Sequence, residues 1–556
     1  MRSFYSFTLT EIMLFLLHEV ITKMVGNMLL PHDDFYTCRD MKVQGKFKMK
    51  LKYLSTAVIL ATFPATGVFA AALDRSGQSM AAFLQPDNYF EAGFSVLDPT
   101  VKGQEAGSST TQRNIGDMGD DYYFPSAALK LQLTDKVSFG LLYDQPFGAD
   151  ARYSGDNIFV ASPNDNVLSA KALNTLSTKS VGQLVQAAGA DFAPALQQVT
   201  NATGGNPAAP TQNEILGALQ QVALGGNAIV GAGLQKLADT QTALNAAKGY
   251  LGSSTGSNST QVQVDTQNLS FVFGFQPNKN LNFYAGPVLQ TIKGNVSLRG
   301  EAYSVYNGYD AKIKETTGAG WLAGAAYQIP EIALKAAITY RSEIDHDAST
   351  TEQLSLLDFP ALSGVLAGLG VNTTLPANGA ESKTKITTPQ SVNLDFQTGI
   401  MANTVAFANV RWVDWKNFSI QPSTFGQLSK ALGGAGLVAG KPNGFNLVEY
   451  SDDQWSVNAG VGRKLSEQWA GNVSVGWDSG AGNPVTTLGP TEGYWNVGVG
   501  LQFSPTPATF IAGGVKYFWL GDAKAQSGAD AGSDNYIAEF EDNHAIAYGL
   551  KLGYKF

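Results

Sequence analysis

The sequence predicts an all-β protein, a 14-stranded antiparallel transmembrane β-barrel with a helical insertion in one extracellular loop. Three observations predict it: an unusual composition, an apolar alternation of period two that recurs along the chain, and connections that alternate between short and long. Together they are typical of a chain that crosses a membrane with strands.

The composition fits neither common class of protein. The 556 residues include 60 Gly, only 15% are charged, and the mean hydropathy is −0.06. A soluble protein usually has about 25% charged residues, and a helical membrane protein would contain apolar runs of about 20 residues. A barrel accounts for both values, because apolar lipid-facing and polar lumen-facing residues alternate and cancel in the mean. A Gly-rich secreted β protein is the alternative that composition alone leaves open.

The N-terminal part predicts export. Residues 41–70 read as a signal peptide, with a basic stretch at Lys42–Lys52 and an apolar stretch at Leu54–Val68. We expect cleavage after Ala70, with Ala72 as the neighbouring choice.

Residues 1–40 precede this signal, and we interpret them as a mis-called upstream extension, with translation starting at Met41 or Met49. Removing residues 1–70 leaves 29 basic and 41 acidic residues, a net charge of −12, and removes Cys38, the only cysteine. The mature chain then has no disulfide framework or cysteine-based metal site. Its acidity argues against a nucleic-acid partner.

The C-terminus carries the strongest strand pattern. From Ile546 to Phe556, every even position is apolar or aromatic and every odd position is Ala, Gly or Lys. Such a strand has one face for lipid and one for a wet lumen. A half-buried strand of a soluble sheet is the alternative, but soluble strands average only about 5–6 residues. Tyr554 and Phe556 resemble the signal read by the outer-membrane barrel assembly machinery.

The same alternation predicts fourteen strands, with the facing of the ninth unsettled. They lie at about 90–96, 129–133, 137–143, 269–275, 281–289, 321–327, 334–340, 392–400, 404–418, 455–461, 469–477, 495–503, 511–519 and 546–556. Tight connections such as 134–136 alternate with long ones such as 98–121. Short turns on one side and long loops on the other are typical of an outer-membrane barrel. We therefore expect the cell outer membrane as the location.

Several long loops are unusually apolar. The insertion 146–260 has helical periodicity at about 181–198, 212–224 and 228–248, and Thr211 with Glu214 reads as a capping box. A large apolar patch commonly marks a binding surface, although these segments could instead pack on one another as a plug or cap. A second apolar loop runs from Leu354 to Leu362, and a third from Leu428 to Val438. The candidate capture residues are Ile215, Leu216, Leu219, Leu354, Leu356, Leu357, Phe359 and Leu362.

Some local motifs carry a resemblance to a known family. They are Thr339–Glu343 at a strand end, Arg411–Trp415, Trp477–Ser479, the start Ala72–Gln78 and the terminal Phe556. In combination the chain from about residue 71 resembles the outer-membrane long-chain fatty-acid and aromatic-hydrocarbon transport family, the FadL/TodX group. The resemblance implies a barrel closed by a hatch, capture in an apolar groove among extracellular loops, a lumen pocket, and lateral exit beside a kinked third strand. The chain departs from the family pattern because the Asn-Pro-Ala hatch motif is missing and the hatch, 71–87, is short.

The kink that the resemblance implies has a candidate place. The third strand runs into Pro146, Phe147 and Gly148. Proline cannot donate to a sheet ladder and glycine tolerates a bulge. Alternatively, Pro146 ends the strand.

A fatty acid needs an apolar tunnel and a cation for its carboxylate. Arg341 and Glu343 share one side of their predicted strand, so we expect both in the lumen. Arg341 is the first choice for an anion contact, since a guanidinium can hold a carboxylate through two hydrogen bonds. Lys516 and Lys551 also face the lumen. Alternatively, these charges brace the wall by pairing with Asp395, Glu343 or Asp478.

The sequence thus predicts a channel for passive uptake of long-chain fatty acids or other hydrophobic compounds, with lateral release through the barrel wall. A nonspecific porin and a surface adhesin are the alternatives. We expect no enzyme, no cofactor and no metal site, because the mature chain has only His346 and His544 and neither lies near a nucleophile motif. The expected partners are a hydrophobic small molecule, outer-membrane lipid and the assembly machinery, and we expect a monomer.

Overall fold

Fourteen antiparallel strands form a closed barrel, as predicted. The computed structural model describes residues 73–162, 170–246, 258–358, 366, 370–371 and 374–556, so the predicted signal peptide and upstream extension lie outside the described residues. The strands are β1 Tyr89–Thr100, β2 Tyr122–Gln132, β3 Val137–Asp144 with Gly148–Arg152, β4 Gln261–Asn278, β5 Leu281–Leu298, β6 Tyr309–Ile329, β7 Leu334–Arg341 with Ile344–Leu354, β8 Glu381–Thr388 with Ser391–Met401, β9 Thr404–Val413, β10 Gln454–Lys464, β11 Trp469–Asp478, β12 Tyr494–Phe503, β13 Thr509–Leu520 and β14 His544–Lys555.

The barrel closes between its first and last strands. β1 pairs with β14 from Tyr89 opposite Lys555 to Thr100 opposite His544, and β1 pairs with β2 on its other side. Closure leaves no sheet edge, so every strand has a hydrogen-bonded neighbour on both sides, as lipid requires.

The alternation predicted along each strand is present in the barrel wall. On β14 the side chains of Tyr548, Leu550 and Leu552 are exposed, whereas Ala547 and Lys551 are buried inside. The facing of β9 is now settled, because Val405, Arg411 and other odd positions are buried in the lumen.

The chain before β1 fills the lumen as a small hatch, residues 73–88. Met80 and Phe83 are fully buried, and the Phe83 ring lies 5.6 Å from that of Tyr284 on the barrel wall. Gly140 on β3 leaves the space that this ring occupies.

In the described part of the loop between β3 and β4 there are four helices: α1 Ala170–Ala188, α2 Phe192–Thr203, α3 Gln212–Leu224 and α4 Ala228–Ala246. The predicted capping box is present at α3, where Glu214 N donates to Thr211 Oγ1 and Thr211 N donates to Glu214 Oε2. The single helix expected at 181–198 is interrupted, because Gly189 adopts a φ of 53° between α1 and α2. The loop also begins later than expected, since β3 resumes at Gly148–Arg152.

A fifth helix, α5 Ser423–Gly434, lies in the loop between β9 and β10. Short strands pair above the barrel, and 3₁₀ turns at Glu301–Tyr306 and Ser355–Asp358 cross its mouth. Within the described residues, no helix is both long and apolar enough to cross a membrane. The loops thus form a second layer above the barrel, and the candidate site lies there and in the lumen below.

Candidate functional site

A cavity of about 590 Å³ lies among the extracellular loops. This volume falls in the range of about 300–1,000 Å³ that is usual for small-molecule sites. Its walls come from the 3₁₀ turn Glu301–Tyr306, from α5 and the chain that follows it, and from the loop between β13 and β14. We call it the loop cavity. Its apolar and aromatic lining residues include Leu298, Tyr303, Tyr306, Leu366, Phe425, Leu432, Leu437, Val438, Phe445, Leu447 and Leu488.

An aromatic cluster forms one wall of the loop cavity. The rings of Tyr306 and Phe425 stack with centroids 4.2 Å apart, and Phe445 lies 5.6 Å from Phe425 at a right angle. The Tyr306 hydroxyl donates to Phe425 O at 2.9 Å, so its polar tip is satisfied inside an apolar environment. This wall therefore presents aromatic surface to a ligand, and the Tyr306 hydroxyl needs no hydrogen bond from that ligand.

Few charges reach the loop cavity. Lys441 Nζ lies 3.8 Å from Glu449 Oε1, and Lys441 and Asp530 both line the cavity. The Tyr303 hydroxyl donates to Thr487 Oγ1 at 3.0 Å, and burial raises the pKa of Tyr303, so it stays neutral. The lining can therefore bury an apolar molecule and also offers a few polar groups.

The hatch is fastened to the barrel wall by a buried ion pair below this cavity. Arg411 on β9 donates from Nε to Asp74 Oδ2 at 2.7 Å and from Nη2 to Asp74 Oδ1 at 3.2 Å. Asn393 adds a bond from Nδ2 to Gly77 O at 2.8 Å. From the sequence, Arg411 was recognised only as part of the family motif Arg411–Trp415. This ion pair was not predicted, because Asp74 lies 337 positions earlier in the chain.

Arg341 lies in the lumen against the hatch, as the sequence predicted. Its Nη2 donates to Gln78 O at 3.1 Å and contacts Met80 Sδ at 3.4 Å. Its Nε and Nη1 are buried without a hydrogen-bond partner among the described residues. The guanidinium thus keeps two donors that a ligand anion could use.

The other predicted lumen charges are placed differently from Arg341. Lys551 donates to Glu91 Oε1 at 3.1 Å across the β1–β14 pair, and Lys516 is buried on the inner face of β13. The expectation that Glu343 shares the lumen with Arg341 is not met, because Glu343 lies in the interruption of β7 and is exposed. The two carboxylates proposed as bracing partners have neutral partners instead. Asp395 accepts from Asn409, and Asp478 accepts from Gln454.

A smaller cavity of about 110 Å³ lies between hatch and wall. It touches Ala127 and Ala128 on β2 and Leu142 and Tyr143 on β3, and Arg341 on its far side. Successive side chains on a strand point to opposite faces of the sheet. The inward-facing residues among these, Ala128 and Leu142, are buried, so the cavity lies along the inner face of the wall where β2 and β3 meet.

The ladder between β2 and β3 is interrupted beside this cavity. The β2–β3 ladder runs up to the pair Ala127 and Tyr143 and resumes only at the bridge between Gly119 and Ala151, so residues 121–126 and 144–149 form no ladder pairs with each other. On the other side of β3, three residues, 145–147, face two residues of β4, since Asp144 pairs with Asn268 and Gly148 with Asp265. This one extra residue is a β-bulge, which bends its strand.

The bulge contains two of the predicted kink residues, Pro146 and Phe147, and the third, Gly148, is the first paired residue after it. The hatch chain bonds the first and the last of these residues, with Arg75 N donating to Pro146 O at 2.6 Å and Gly148 N donating to Leu73 O at 2.9 Å. Phe147 N donates to Thr266 Oγ1 on β4 at 2.9 Å. The Phe147 ring packs against the buried Trp415 ring at 5.4 Å. Pro146 therefore does not end the strand.

The predicted capture residues do not gather at the loop cavity. Leu219 is fully buried in a separate core formed by α1–α4, and Ile215 and Leu216 pack against that core. Leu354 and Leu356 are buried beneath the loops, with Leu357 packed beside them. Phe359 and Leu362 lie outside the described residues. The third apolar loop, 428–438, does contribute to the loop cavity.

The main cavity residues that the sequence reasoning missed are Tyr303, Tyr306, Phe425 and Phe445. The available signal was four aromatic residues within the connections between predicted strands. His346, flanked by two acidic residues, is buried and contacts Gln290 at 3.0 Å, while its neighbours Asp345 and Asp347 are exposed. The three groups therefore do not converge on a cation.

The comparisons with known proteins agree with this architecture. The family model described as outer membrane protein transport protein (OMPP1/FadL/TodX) matches residues 166–556. A FadL homologue from Pseudomonas aeruginosa has a crystal structure similar to this one, with a TM-score of 0.54 and 12% identity over 89% of this chain and 95% of that chain. The toluene transporter TodX of P. putida gives a TM-score of 0.47 and 11% identity over 89% and 99%. The toluene transporter TbuX of Ralstonia pickettii gives 0.44 and 9% over the same shares. No curated protein matches the chain.

Proposed function

Because the chain belongs to the outer membrane protein transport family (OMPP1/FadL/TodX), whose members are channels and not enzymes, we propose that it takes up long-chain fatty acids or other hydrophobic compounds passively. In this proposal the loop cavity captures the substrate from the outside. The substrate then passes to the lumen near Arg341 and leaves sideways through the wall at the interrupted β2–β3 ladder.

The observation that carries the proposal is the loop cavity, about 590 Å³ with a largely apolar and aromatic lining. Burying apolar ligand surface there is favourable by about 25 cal/mol per Å². A water-filled diffusion pore has no use for such a cavity, and the lumen below it is filled by the hatch, with Met80 and Phe83 fully buried.

Uptake by a deletion strain complemented with this chain tests the proposal. Labelled fatty acids, alkanes and aromatic hydrocarbons are supplied at low concentration. Val438→Trp, which fills part of the loop cavity, is expected to slow uptake, whereas Leu224→Trp, at an exposed position on α3, is expected to leave it unchanged. Unchanged uptake of every compound on deletion of the gene would remove the proposal. A steady ion conductance in planar bilayers would favour the porin alternative.

Arg341 is the proposed anchor for a substrate carboxylate, since two of its buried donors have no described protein partner. Lys516 and Lys551 are weaker candidates on the same inner surface. Arg341→Gln is expected to reduce fatty-acid uptake about tenfold or more, because hydrogen bonds to charged groups contribute about 1.5–3 kcal/mol. Uptake of a neutral hydrocarbon serves as the control. An equal loss for both substrate types would mean that the variant only disturbs the hatch.

Lateral release is supported by the interrupted β2–β3 ladder and by the small cavity that lies beside it. Deleting Pro146 removes the extra residue of the β3 bulge and would allow a continuous ladder with β4. We expect the shortened strand to close this route and to block uptake while substrate still binds at the loops. Full uptake by the deletion variant would argue for release straight into the periplasm.

Assembly and lipid contact are further parts of the proposal. The outward row of β14, with Tyr548, Leu550 and Leu552, faces the lipid, and Tyr554 and Phe556 end the chain as the signal for the assembly machinery. We propose that the barrel functions as a monomer. Cross-linking in native membranes that captured a defined oligomer would contradict this.

A further inference from the structure

One buried carboxylate from the barrel holds the start of helix α5. Glu352, near the upper end of β7, is only 3% exposed. Its Oε2 accepts a hydrogen bond from Thr424 N at 2.8 Å, and its Oε1 accepts from Phe425 N at 2.9 Å. The Tyr309 hydroxyl on β6 donates to the same Oε1 at 2.8 Å. Glu352 thus joins two barrel strands to a helix that lies more than 70 residues further along the chain.

The helix needs this outside partner. The first N–H groups of a helix have no acceptor within the helix, and the positive end of the helix dipole favours a carboxylate there. Most helices use the side chain of the preceding residue, but here that residue is Pro422, which makes no capping bond. Glu352 therefore acts as the cap of α5 from another part of the fold.

The cap fixes a residue of the loop cavity. Phe425 donates its N–H to Glu352 and accepts the Tyr306 hydroxyl at its carbonyl, so both of its backbone polar groups are held by side chains of other elements. Its ring stacks on Tyr306 and lines the loop cavity. A shift of the α5 start would move this ring and the wall that it forms.

We propose that Glu352 is the positioning residue of the loop cavity: it seats α5 on the barrel rim and thereby sets the affinity of substrate capture. This inference rests on the proposed function. Because Glu352 contacts neither the lumen cavity nor the interrupted β2–β3 ladder, its loss acts on capture and not on the maximal rate of passage.

Glu352→Gln tests the proposal, since glutamine has the same size but loses the charge and offers only one acceptor oxygen. The concentration dependence of uptake is measured in cells, and binding of the neutral dye N-phenyl-1-naphthylamine is measured on the purified full chain. We expect the half-saturating concentration to rise about tenfold or more in both assays, with the maximal uptake rate unchanged. Glu381→Gln, which breaks an exposed ion pair with Lys314 on the neighbouring strands, is the matched control and is expected to behave as wild type.

A second variant covers the case in which Glu352→Gln does not fold, as judged by heat-modifiable migration. Tyr309→Phe removes one donor to Glu352 without emptying space, and a smaller shift in the same direction is expected. An unchanged half-saturating concentration in the folded variants, or a fall in maximal rate alone, would overturn the role of Glu352 while leaving the proposed function in place. Absence of uptake and dye binding in the wild type would overturn the proposed function and this role with it.

Discussion

Breaking the ion pair between Asp74 and Arg411 is expected to unseat the hatch. Both side chains are buried, at 5% and 2% exposure, and two hydrogen bonds join them. Asp74→Asn keeps the size and one acceptor oxygen of the side chain but leaves the guanidinium without its counter-charge. Charged groups of the wall also donate to hatch carbonyls, as Lys130 Nζ does to Gln85 O and Lys335 Nζ does to Leu84 O, both at 2.7 Å. The contact between Asp74 and Arg411 differs from these because it joins two opposite charges.

The size of the effect follows from burial. Removing one partner of a buried ion pair usually costs about 3–5 kcal/mol, because the remaining charge is uncompensated. Arg411 keeps bonds to Asn393 Oδ1 at 2.7 Å, to Gln78 Oε1 at 3.1 Å and to Ser391 Oγ at 3.2 Å, which offset part of the loss. We therefore take the lower value, about 3 kcal/mol, which raises the ratio of unseated to seated hatch about a hundredfold.

Single-channel recording in planar bilayers measures that ratio as the ratio of open to closed time, and sensitivity of cells to vancomycin reports the same leak. Asp345→Asn is the control, because its pair with Lys385 is 2.9 Å long but exposed on both sides, and exposed pairs contribute only about 0–1 kcal/mol. Combining Asp74→Asn with Arg411→Gln should partly restore a quiet channel, since no buried charge is then left unpaired. An equal ratio of open to closed time in Asp74→Asn and in the wild type would refute the reasoning.

Three further changes have definite expected outcomes. Burial raises the pKa of Glu492 in the β11–β12 loop to about 7 from 4.5. The folded loop therefore binds a proton more tightly than the unfolded loop, and it loses up to about 3 kcal/mol of stability as the pH rises between these values. Protease cleavage of the loop should increase from pH 5 to pH 8 in the wild type but not in Glu492→Gln. Gly140→Ala places a methyl group against the Phe83 ring of the hatch, so it should displace the hatch and open the channel. Gly471→Ala should leave the channel closed, because the nearest atom to its methyl group would be 3.4 Å away. Bilayer recording distinguishes the two variants. Deleting Phe556 should slow assembly, measured as the heat-modifiable fraction after induction.

The barrel could be predicted from the sequence because each strand carries its own information. On β14 the alternation of Tyr548, Leu550 and Leu552 with small residues and Lys551 specifies both the strand and its facing. On β9 the inward side holds Val405 and Phe407 as well as Arg411, and the outward side holds Ala406 and Ala408. Both faces therefore carry apolar residues, and the alternation alone does not specify the facing of that strand.

The insertion boundary at residue 146 has a similar explanation. Pro146 reads as the end of a strand because proline cannot donate to a ladder. The strand nevertheless resumes, since the hatch chain supplies an acceptor at Leu73 and a donor at Arg75 in the place of the missing neighbour. Only the three-dimensional fold brings the two segments together.

Apolar helices were identifiable in the sequence, but their partners were not. Leu219 and its neighbours form one apolar face of α3, and such a face predicts burial without saying against what. The face packs inside the α1–α4 core. The loop cavity uses residues with no helical periodicity, such as Tyr303 and Tyr306 in a 3₁₀ turn, so pattern alone could not single them out.

The interruption of β7 explains how one strand serves two sites. Arg341, an odd position, is buried against the hatch, and Glu352, an even position, is buried against α5. An unbroken strand would turn successive residues to opposite faces, so one of these two side chains would point outward. The break at Ser342 and Glu343 shifts the alternation by one residue, which makes Ile344 and every second residue up to Glu352 face inward. The same shift turns Glu343 out of the lumen, and it is the physical reason why the simple alternation predicted Arg341 correctly and Glu343 wrongly.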